Sequence, residues 1–369
     1  MHPEWLWQHP GWPDFTWRNG EVQPLLRNAH ERVGLLKGKM SLVADDDEFG
    51  LDTLLANIVA SSAIESEQVD VYGVRSSLAR QLGLTDQQPV AVSAQSEGLA
   101  NLMRDAVTNW QQPLTKNTLM QWHAWLFQGH DSLLQKVIPG RLRGDAPMQI
   151  VSGPLTRPKV HFEAPPRKRI DKELKTFIAW FNQSQQDQTL DPLLRAAVTH
   201  LWFVTIHPFE DGNGRITRAL TDRALTQADQ QGIRLFAMSE AILAHRAEYY
   251  KKLEATQKND LDITSWLVWF CETLIAAIEL ALAKIERTLT KAKFWAKHSE
   301  TPLNEAQRKI LNRLLDGDFS QGLSATHYQR VTSVSKATAT RHLTELLEQQ
   351  MLEKLPGGGR STRYRIARH

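Results

Sequence analysis

The sequence contains one cysteine, Cys271, among 369 residues, which excludes a disulfide within the chain. A chain without disulfides fits a reducing compartment. A long uninterrupted apolar run is also missing, because the most apolar stretch, residues 266–285, is broken by Glu272 and Glu279. The first residues have neither the basic start nor the apolar core of a signal peptide. We therefore expect a cytoplasmic protein that does not enter a membrane.

Other absences narrow the class of protein. The sequence has no internal repeat and no low-complexity tract, which excludes a repeat architecture. It has no Gly-x4-Gly-Lys-Ser/Thr motif, so an ordinary P-loop is not available as a phosphate site. With 41% hydrophobic and 23% charged residues, the composition is that of a globular protein. The length predicts two or three domains.

The basic charge of the chain is local. The net charge is +3, yet residues 301–369 hold eleven Lys and Arg against six Asp and Glu, an excess of five. The remainder of the chain therefore carries −2. A local excess of this kind suggests an anionic partner for the C-terminal part.

Three regions follow from the pattern along the chain. Residues 1–92 begin with a tryptophan-rich arm, whose prolines exclude a regular helix, and continue as helix from about residue 22. Residues 93–300 predict a mostly helical core, and residues 301–369 predict a separate small domain. We interpret the aromatic residues of the arm as anchors that hold it on the body, with a partner-binding arm as the alternative.

The predicted fold class is mainly α. Asp191 followed by Pro192 is typical of a helix start, and we expect this helix to end at His207. Another helix is expected to begin near Gly214 and to bury one apolar stripe. The exception is the stretch 148–162, where two short apolar segments flank a Ser-Gly-Pro turn and predict a β-hairpin.

The segment His207–Arg218, between two predicted helices, concentrates the chemistry of the chain. Gly212 and Gly214 flank Asn213, and the two glycines permit positive φ angles. Backbone N–H groups can then turn inward and form a concave anion-binding nest at the start of a helix. The sequence therefore predicts a phosphate site made of main chain.

Side chains around the nest complete a reactive set. His207 can accept a proton from a hydroxyl near neutral pH, and Asp211 is a hard carboxylate of the kind that Mg²⁺ prefers. Arg215 and Arg218 lie three residues apart and offer planar donors to phosphate oxygens. Each residue type alone is more often structural, and we expect Phe209 to be a core anchor.

These residues match the signature of the Fic family, His-x-Phe-x-Asp/Glu-Gly-Asn-Gly-Arg-x-x-Arg, at every fixed position, and the resemblance is strongest over about residues 119–285. The family implies a helical core in which a histidine deprotonates a Ser, Thr or Tyr hydroxyl of a target protein. The alkoxide attacks the α-phosphate of ATP, so that AMP is transferred and pyrophosphate leaves. By this resemblance His207 is the base, Asp211 holds Mg²⁺, Gly212, Asn213 and Gly214 cradle the α- and β-phosphates, and Arg215 and Arg218 take the β- and γ-phosphates.

Two further segments resemble the family. The predicted hairpin falls where Fic proteins carry a flap that holds the target peptide by adding a strand to its edge. In the pair Tyr249-Tyr250, the family implies that a tyrosine lines the adenine side of the pocket, and we assign this role to Tyr250. The flap residues are Met148, Gln149, Ile150, Val151, Val160 and His161.

The sequence Ser61-Ser-Ala-Ile-Glu65-Ser66 resembles the inhibitory motif of the family, Ser/Thr-x-x-x-Glu-Gly/Asn. It departs from that pattern at Ser66. The resemblance implies that Glu65, one helical turn beyond Ser61, pairs with Arg218 and displaces the γ-phosphate. Glu67 is a competing candidate, and a solvated glutamate near a helix end is the structural alternative.

The C-terminal region resembles a winged helix-turn-helix domain. Three helices are predicted, the second and third joined by a turn of helix-turn-helix length, followed by two strands around a glycine-rich turn. Such a domain binds DNA with its third helix and its wing, and a protein-interaction or dimerisation module is the alternative. The candidate DNA-binding residues are Lys336, Thr338, Arg341, Arg360 and Arg363.

The leading hypothesis is autoinhibited protein adenylylation with ATP and Mg²⁺. One alternative keeps the scaffold but removes AMP or transfers another phosphate-containing group, because a carboxylate near the nest can orient a water. Another is a DNA-binding transcription regulator that senses a nucleotide. The intact His207 argues against a pure sensor. The target protein is not identified by the sequence, and the chain itself is one candidate. A homodimer is also left open.

Overall fold

The computed structural model describes residues 4–43, 46–84, 90–129, 137–153, 158–229, 235–356 and 362–367. The fold is mainly helical, as predicted. The helices are α1 Asn19–Met40, α2 Asp46–Ile64, α3 Val71–Leu82, α4 Ala94–Thr108, α5 Lys116–Leu126, α6 Arg167–Gln183, α7 Pro192–Ile206, α8 Asn213–Asp229, α9 Met238–Ala244, α10 Arg246–Gln257, α11 Thr264–Lys297, α12 Glu305–Leu315, α13 Ala325–Thr332 and α14 Lys336–Glu348. The strands are β1 Gln149–Ser152, β2 Lys159–Glu163, β3 Leu352–Lys354 and β4 Tyr364–Ile366.

The chain divides into two compact units. The first comprises Met1–Gly38 and Asp45–Ala281, and the second comprises Lys39–Ala44 and Leu282–His369. The division falls inside α11. The limits expected from the sequence, at residues 92/93 and 300/301, stay predictions.

The centre of the first unit is the pair α7 and α8. α7 is buried on every side from Leu193 to Ile206, because its sequence is apolar around the whole helix. Its start agrees with the sequence expectation, since the Asp191 side chain accepts a hydrogen bond from the Leu193 N–H at 2.8 Å. From α11, the Trp266 indole N–H donates to the Ala197 carbonyl at 2.9 Å. A helix held this firmly gives a fixed base for the loop that follows it.

The tryptophan-rich arm packs against the hairpin formed by β1 and β2. Trp5 and Trp7 are 4% and 8% exposed, and the ring of Trp5 meets Phe162 edge-on at 5.5 Å between centroids. The indole N–H of Trp7 donates to the Glu163 carbonyl at 2.7 Å. This agrees with the interpretation of the arm as an aromatic anchor, and it ties the arm to one side of the hairpin.

One described helix, α11, is long and apolar enough to cross a membrane by length and composition alone. Of its most apolar 18-residue window, 61% is buried inside the fold. Core helices of proteins that never enter a bilayer pass the same test, so the property carries little weight by itself.

The second unit contains α12, α13 and α14 and the antiparallel pair β3 and β4. Its core includes Phe294, Ile310, Tyr328 and Leu346. The short turn between α13 and α14 begins at Ser333, which has a left-handed backbone with φ of 56°. This order of elements is the one expected for a winged helix, and that assignment stays a prediction. Arg360 lies outside the described residues.

Candidate active site

His207 lies at the point where α7 ends. Its backbone is left-handed, with φ of 50°, and its ring Nδ1 lies 3.0 Å from the Val204 carbonyl oxygen. A carbonyl can only accept, so Nδ1 carries the proton and Nε2 is left as the acceptor when the ring is neutral. The helix end therefore fixes both the position and the tautomer of the candidate base.

The loop after His207 is held by its own residues. The Asn213 side chain accepts from the Phe209 N–H at 2.9 Å and donates to the Phe209 carbonyl at 2.8 Å. Phe209 is fully buried, as predicted, and its ring stacks on His123 at 4.2 Å. Gly212 has φ of 78°, and a Cβ there would lie 2.6 Å from Leu126 Cδ2. Only glycine fits this conformation in this space.

The loop leads into the N-terminus of α8. Helix N-termini present unpaired N–H groups and a partial positive charge, which favours an anion. In this structure the anion is a carboxylate of the chain itself, because a Cβ at Gly214 would lie 2.1 Å from Glu65 Oε1. Glu65 thus covers the first turn of the helix where the sequence predicts phosphate.

A cavity of about 810 Å³ opens above this loop. Its volume lies in the range of small-molecule and cofactor sites. The loop from His207 to Gly214 forms one side, and Glu65 lies at the same cavity. The hairpin contributes Met148, Gln149, Ile150, Val151, Ser152 and His161, and α10 contributes Tyr249, Tyr250 and Glu254 among others. The structure thus brings together most of the residues predicted from separate parts of the sequence.

Arg218 is buried, and Ser61 and Glu65 bind its guanidinium. It is 2% exposed, and its Nη2 donates to Glu65 Oε1 and to the Ser61 carbonyl, both at 2.8 Å. Its Nε donates to the Ser61 hydroxyl at 2.8 Å. Burial opposes ionisation of Glu65, but the charge and hydrogen bond of Arg218, with smaller contributions from Arg215 and Tyr250, hold the pKa of Glu65 below its usual value. The predicted contact between Glu65 and Arg218 is therefore present as an ion pair.

Glu65 reaches the same arginine as Ser61, as expected, although the helix itself ends just before Glu65. α2 ends at Ile64, so Glu65 lies in the turn after the helix, where its N–H donates to the Ser62 carbonyl at 3.0 Å. The helix stops because Ser66 has a left-handed backbone with φ of 63°. That conformation favours glycine and asparagine, which explains why the family pattern has Gly or Asn where this chain has Ser66.

Glu67 has a separate role from the one weighed in the sequence. Its carboxylate forms a close ion pair with Arg215 Nη1. The guanidinium of Arg215 is 4% exposed and lies over the Phe127 ring at 5.3 Å. Neither Arg215 nor Arg218 lines the cavity in this structure, and the expectation that both bind phosphate stays a prediction. Two carboxylates hold them instead.

Asp211 is the residue expected to hold Mg²⁺. Its side chain is 58% exposed and lines the cavity, and Oδ1 accepts from the Gly212 N–H at 2.5 Å. Among the described residues no group of three or more His, Cys, Asp or Glu is placed to hold a metal ion. Mg²⁺ is commonly held by one or two carboxylates together with substrate phosphates and water. A single exposed carboxylate beside a phosphate nest fits that mode.

The two tyrosines of α10 both line the cavity but differ in exposure, and the role of Tyr250 beside adenine stays a prediction. Tyr250 is 38% exposed, and its hydroxyl donates to Glu65 Oε2 at 3.2 Å. Tyr249 is buried and its hydroxyl lies 3.0 Å from His200 Nε2. Arg246, which the sequence analysis did not single out, lies over the Tyr250 ring at 5.5 Å. Tyr250 thus links α10 to the carboxylate of Glu65 by a hydrogen bond.

The environment of His207 keeps its imidazole neutral. Burial lowers its pKa to about 4, and the charge of Arg143 acts in the same direction against smaller opposing effects from the Val204 carbonyl, Glu65 and Asp211. The ring is therefore uncharged at pH 7 and ready to accept a proton. Burial also lowers the pKa of the neighbouring His123 to about 4, so neither ring adds positive charge to the loop.

Comparison with known proteins agrees with this geometry. Residues 113–225 match the Fic/DOC family, and this range contains α7, the loop and most of α8. This part of the chain is similar to the Fic/DOC family. A second match, to a domain of unknown function called DUF4172, covers residues 5–84. Glu65 therefore lies outside the Fic match, in the segment that matches DUF4172.

Relatives with curated names match only part of the chain. The protein adenylyltransferase fic-1 of Caenorhabditis elegans is 34% identical over 90 residues, which are 24% of this chain and 16% of that protein. The protein adenylyltransferase Fic of Culex quinquefasciatus is 32% identical over 88 residues, again 24% of this chain and 16% of the relative. The chain thus matches about a sixth of the length of these relatives.

Solved structures show the same fold over a longer range. A Fic family protein from Desulfovibrio desulfuricans G20 aligns over 96% of this chain and 98% of its own length, with a TM-score of 0.55 and 19% identity. A Fic domain containing signaling protein from Bacteroides thetaiotaomicron aligns over 70% of this chain and 97% of its own, with a TM-score of 0.51 and 18% identity.

The Fic core also uses a buried arginine that the sequence analysis missed. Arg143 is 2% exposed, its N–H donates to the Pro208 carbonyl at 3.0 Å, and its Nε donates to the His207 carbonyl at 2.8 Å. It therefore holds the backbone of the catalytic loop from behind. No local pattern marks it, because its two partners in this loop, His207 and Pro208, lie more than sixty residues further along the chain.

The hairpin of the Fic core has the predicted strands. Ile150 and Val151 are 40% and 48% exposed, as a strand that binds a peptide edge requires. Met148 and Val160 are different, because they pack against the cluster of Trp5, Trp7 and Phe162. Both side chains help to attach the hairpin, Met148 also lines the cavity, and the assignment of the two residues to a target-binding flap stays a prediction.

Proposed function

We propose that the chain transfers AMP from ATP to a Ser, Thr or Tyr hydroxyl of a protein. One observation carries the proposal: His207, with its Nδ1 proton committed to the Val204 carbonyl, lies in the same cavity as the nest from Gly212 to Gly214. A base and a triphosphate site in one cavity are what this reaction requires. The curated relatives named as protein adenylyltransferases support it.

The chemistry follows from the arrangement of these groups. Nε2 of His207 accepts the proton of the target hydroxyl, and the oxygen attacks the α-phosphorus of ATP. The bond from the α-phosphorus to the oxygen bridging the β-phosphate breaks, and pyrophosphate leaves. The backbone N–H groups of the loop and the start of α8 stabilise the charge on the phosphates. Positioning and charge stabilisation supply most of the rate enhancement in such transfers.

Asp211 would hold Mg²⁺ together with the phosphates of ATP, and the ion supplies charge neutralisation when bound. The exposed edge of β1 would hold the target by strand addition. On this proposal Tyr250 lies on the adenine side of the cavity, next to the ion pair of Glu65 and Arg218.

We further propose that the structure represents an inhibited state. Glu65 competes with the γ-phosphate for Arg218, so ATP binds in a pose that is poorly aligned for attack. A charge-assisted hydrogen bond contributes about 1.5 to 3 kcal/mol, enough to bias the pose by a factor of roughly ten to a hundred. The 2.8 Å ion pair and the position of Glu65 over Gly214 support this.

The deciding experiment follows label from α-labelled ATP with Mg²⁺ into protein, for the wild type, Glu65→Gly and His207→Ala. We expect more label with Glu65→Gly, and a loss of roughly a hundredfold or more when His207→Ala is added to it, the usual scale of a general base. Equal labelling by all three proteins would refute the mechanism.

The reverse reaction is an alternative that one observation favours. Glu65 lies in the cavity, where its carboxylate can also orient a water towards an AMP-modified residue. Protein labelled by Glu65→Gly, purified and mixed with the wild type, distinguishes the two. Release of AMP by the wild type but not by Glu65→Gly would favour removal of AMP, whereas stable label would favour transfer. Release of a different nucleotide fragment would indicate another phosphotransfer.

We propose DNA binding as a separate activity of the second unit. Lys336 and Arg341 are exposed near the start of α14, the helix after the short turn, and this arrangement supports the proposal. A comparison of DNA affinity with and without ATP tests the alternative that the chain is a nucleotide-sensing regulator. We also propose a cytoplasmic location, supported by Cys271, which is buried as a free thiol.

A further inference from the structure

A second cavity, of about 560 Å³, adjoins the one that contains His207. The two cavities share Glu210, which lines both. Among the described residues that line the second cavity, Glu210 is the one acid, against four cations: Lys116, Arg141, Arg143 and Arg167. A concave site of this size with an excess of positive charge attracts an anion.

Arg143 is the buried member of this group, with 2% of its surface exposed. Its Nε and its backbone N–H bind the loop after His207, and its Nη2 donates to the Pro165 carbonyl. Its Nη1 has no hydrogen-bond partner among the described residues. All of these acceptors are neutral carbonyls, so the positive charge of Arg143 is not balanced by a bound carboxylate.

The other three cations differ in how far their charge is already balanced. Asp171 pairs with Lys116 at 2.6 Å and with Arg167 at 2.8 Å, so one carboxylate serves two cations. Arg141 is exposed, and its side chain forms no ion pair with any residue that the structure describes. Arg141 is therefore the group that is best placed to bind an anion from outside.

The chain leads directly from one cavity to the other. Gly144 lines the second cavity, whereas Met148 and β1 line the first. Between them, Glu210 Oε1 accepts from the Gly144 N–H at 2.8 Å. An extended chain advances about 3.3 Å per residue, so a strand that lies beside β1 and continues towards Gly144 reaches the second cavity after about four to six residues.

We propose that the second cavity binds an acidic side chain of the target protein, an inference that rests on the proposed function. The enzyme then prefers targets with Asp or Glu about four to six residues to one side of the modified hydroxyl. Arg141 and Arg167 pair with this carboxylate, and the charge of Arg143 adds to the attraction. Because exposed ion pairs contribute little, the preference is about fivefold and weakens with salt.

The first test measures binding, which does not require activity. Three fluorescent peptides with one threonine carry Glu, Gln or Lys at the same position, which is varied over about six residues on either side. Fluorescence anisotropy with the full chain gives their affinities. The Glu peptide should bind about fivefold more tightly than the Gln peptide, on one side only. Binding of the Glu peptide that is no tighter, or no binding of any peptide, would overturn the proposal.

Charge reversal assigns the preference to the cavity. Arg141→Glu should bind the Lys peptide more tightly than the Glu peptide. The matched control is Arg104 on α4, which is exposed and lines neither cavity, so Arg104→Glu should keep the preference of the wild type. The same reversal in both variants would mean that the peptides sense only net charge, which would overturn the site.

A free anion is the other possible occupant of the cavity. Inorganic phosphate that replaces chloride at equal ionic strength should leave the preference for the Glu peptide unchanged. Loss of that preference in phosphate would show that the cavity binds a free anion and would overturn the target side chain as its occupant.

Labelling from α-labelled ATP separates this inference from the proposed function. In the Glu65→Gly background the Glu peptide should have a lower KM and an unchanged kcat, because the second cavity provides binding and does not contact the reacting atoms. Label on all three peptides with equal KM would overturn the inference and leave AMP transfer intact. A charge preference in binding without label on any peptide would support the site and overturn the proposed function.

Discussion

Glu65 Oε1 lies 2.8 Å from Arg218 Nη2, and the same oxygen would be only 2.1 Å from a Cβ placed on Gly214. One carboxylate therefore neutralises a buried arginine and covers the first turn of α8. A phosphate oxygen needs the same two features, a cationic partner and the N-terminus of a helix. On the proposed function, Glu65 and the γ-phosphate therefore compete for Arg218.

Removal of Glu65 should destabilise the free protein and make it more responsive to ATP. Arg218 is 2% exposed, and loss of the partner of a buried charge costs about 3 kcal/mol or more, reduced here by the two hydrogen bonds to Ser61. We expect Glu65→Gly to unfold at lower denaturant concentration than the wild type. Because ATP supplies the missing negative charge, a hundredfold excess over its Kd should restore about 2.7 kcal/mol.

Urea unfolding with and without ATP and Mg²⁺ measures both effects. Glu65→Gln is the matched control, because it keeps the size of the side chain and removes the charge, and it should fall between the wild type and Glu65→Gly in its response to ATP. Equal stabilisation of all three proteins by ATP would mean that Glu65 and the nucleotide do not compete.

Glu67 should act as a second, weaker restraint on the arginines. Its carboxylate pairs with Arg215, but it is 33% exposed, and Arg215 Nη2 also lies 3.7 Å from Asp211 Oδ1. Solvent screening reduces such a pair to about 1 kcal/mol. We expect Glu67→Gln to increase labelling by about fivefold, less than Glu65→Gly, and to add to it in the double variant.

The control for Glu67 is another ion pair of the same unit. Glu48 on α2 pairs with Arg75 on α3, and neither lines the cavity. Glu48→Gln should therefore leave labelling unchanged. An increase with Glu48→Gln as large as that with Glu67→Gln would attribute the effect to general loosening of α2.

These contacts show what sequence alone can predict. The base, the nest and the arginines occupy twelve consecutive residues, so local rules place them together. The helix before them, α7, is also recognisable from the sequence, because Asp191-Pro192 marks its start. The pair of Glu65 and Arg218 spans 153 positions, and only the resemblance to a family motif suggested it. The structure then agrees with that resemblance.

Other contacts have no local signal. The pairing of Glu67 with Arg215 depends on how the turn after α2 lies against α8, which no periodicity encodes. The register of the hairpin shifts between Ile150 and Val151, and alternation along a strand predicts a regular register instead. Arg143 acts through backbone carbonyls, which every residue carries. Each of these contacts depends on the tertiary packing of segments that are separated in the sequence.

Ser66 offers a test of the turn that places Glu65. Its φ of 63° costs a residue other than glycine about 1 kcal/mol. Ser66→Gly should relieve this cost, favour the state in which Glu65 binds Arg218, and lower labelling by roughly fivefold. It should also raise the urea midpoint.

The Ser66 hydroxyl also accepts from Arg246 at 3.1 Å, so Ser66→Ala is needed as the matched control. Alanine loses that hydrogen bond and keeps the left-handed cost, so labelling should not fall. A decrease in Ser66→Ala equal to that in Ser66→Gly would show that the hydroxyl, and not the backbone angle, is responsible.

The pH dependence of transfer should report the lowered pKa of His207. Its pKa is lowered to about 4, and only the neutral ring can accept a proton, so the rate should be lost as pH falls through about 4. From pH 8 to 5.5 the rate of Glu65→Gly should therefore be nearly constant. An ordinary imidazole, with a pKa near 6.5, would lose about tenfold at pH 5.5.

Single-turnover labelling at saturating ATP measures this profile, and circular dichroism at each pH checks that the protein stays folded. A midpoint near 6.5 in a protein that remains folded would contradict the lowered pKa of the half-buried ring.

DNA binding by the second unit should depend on Arg341 and not on Arg365. The Arg341 side chain is 69% exposed and lies 3.6 Å from Glu345, so it can turn to a phosphate, whereas Arg365 is held by Glu353 of the neighbouring strand. In gel-shift titrations with duplex DNA, Arg341→Ala should weaken binding and reduce the slope of log K against log salt by about 0.9, one phosphate contact. Arg365→Ala should change neither quantity by as much. Equal effects of both variants, or binding that does not change with salt, would instead favour a protein-interaction role for this unit, because a phosphate contact must release counterions.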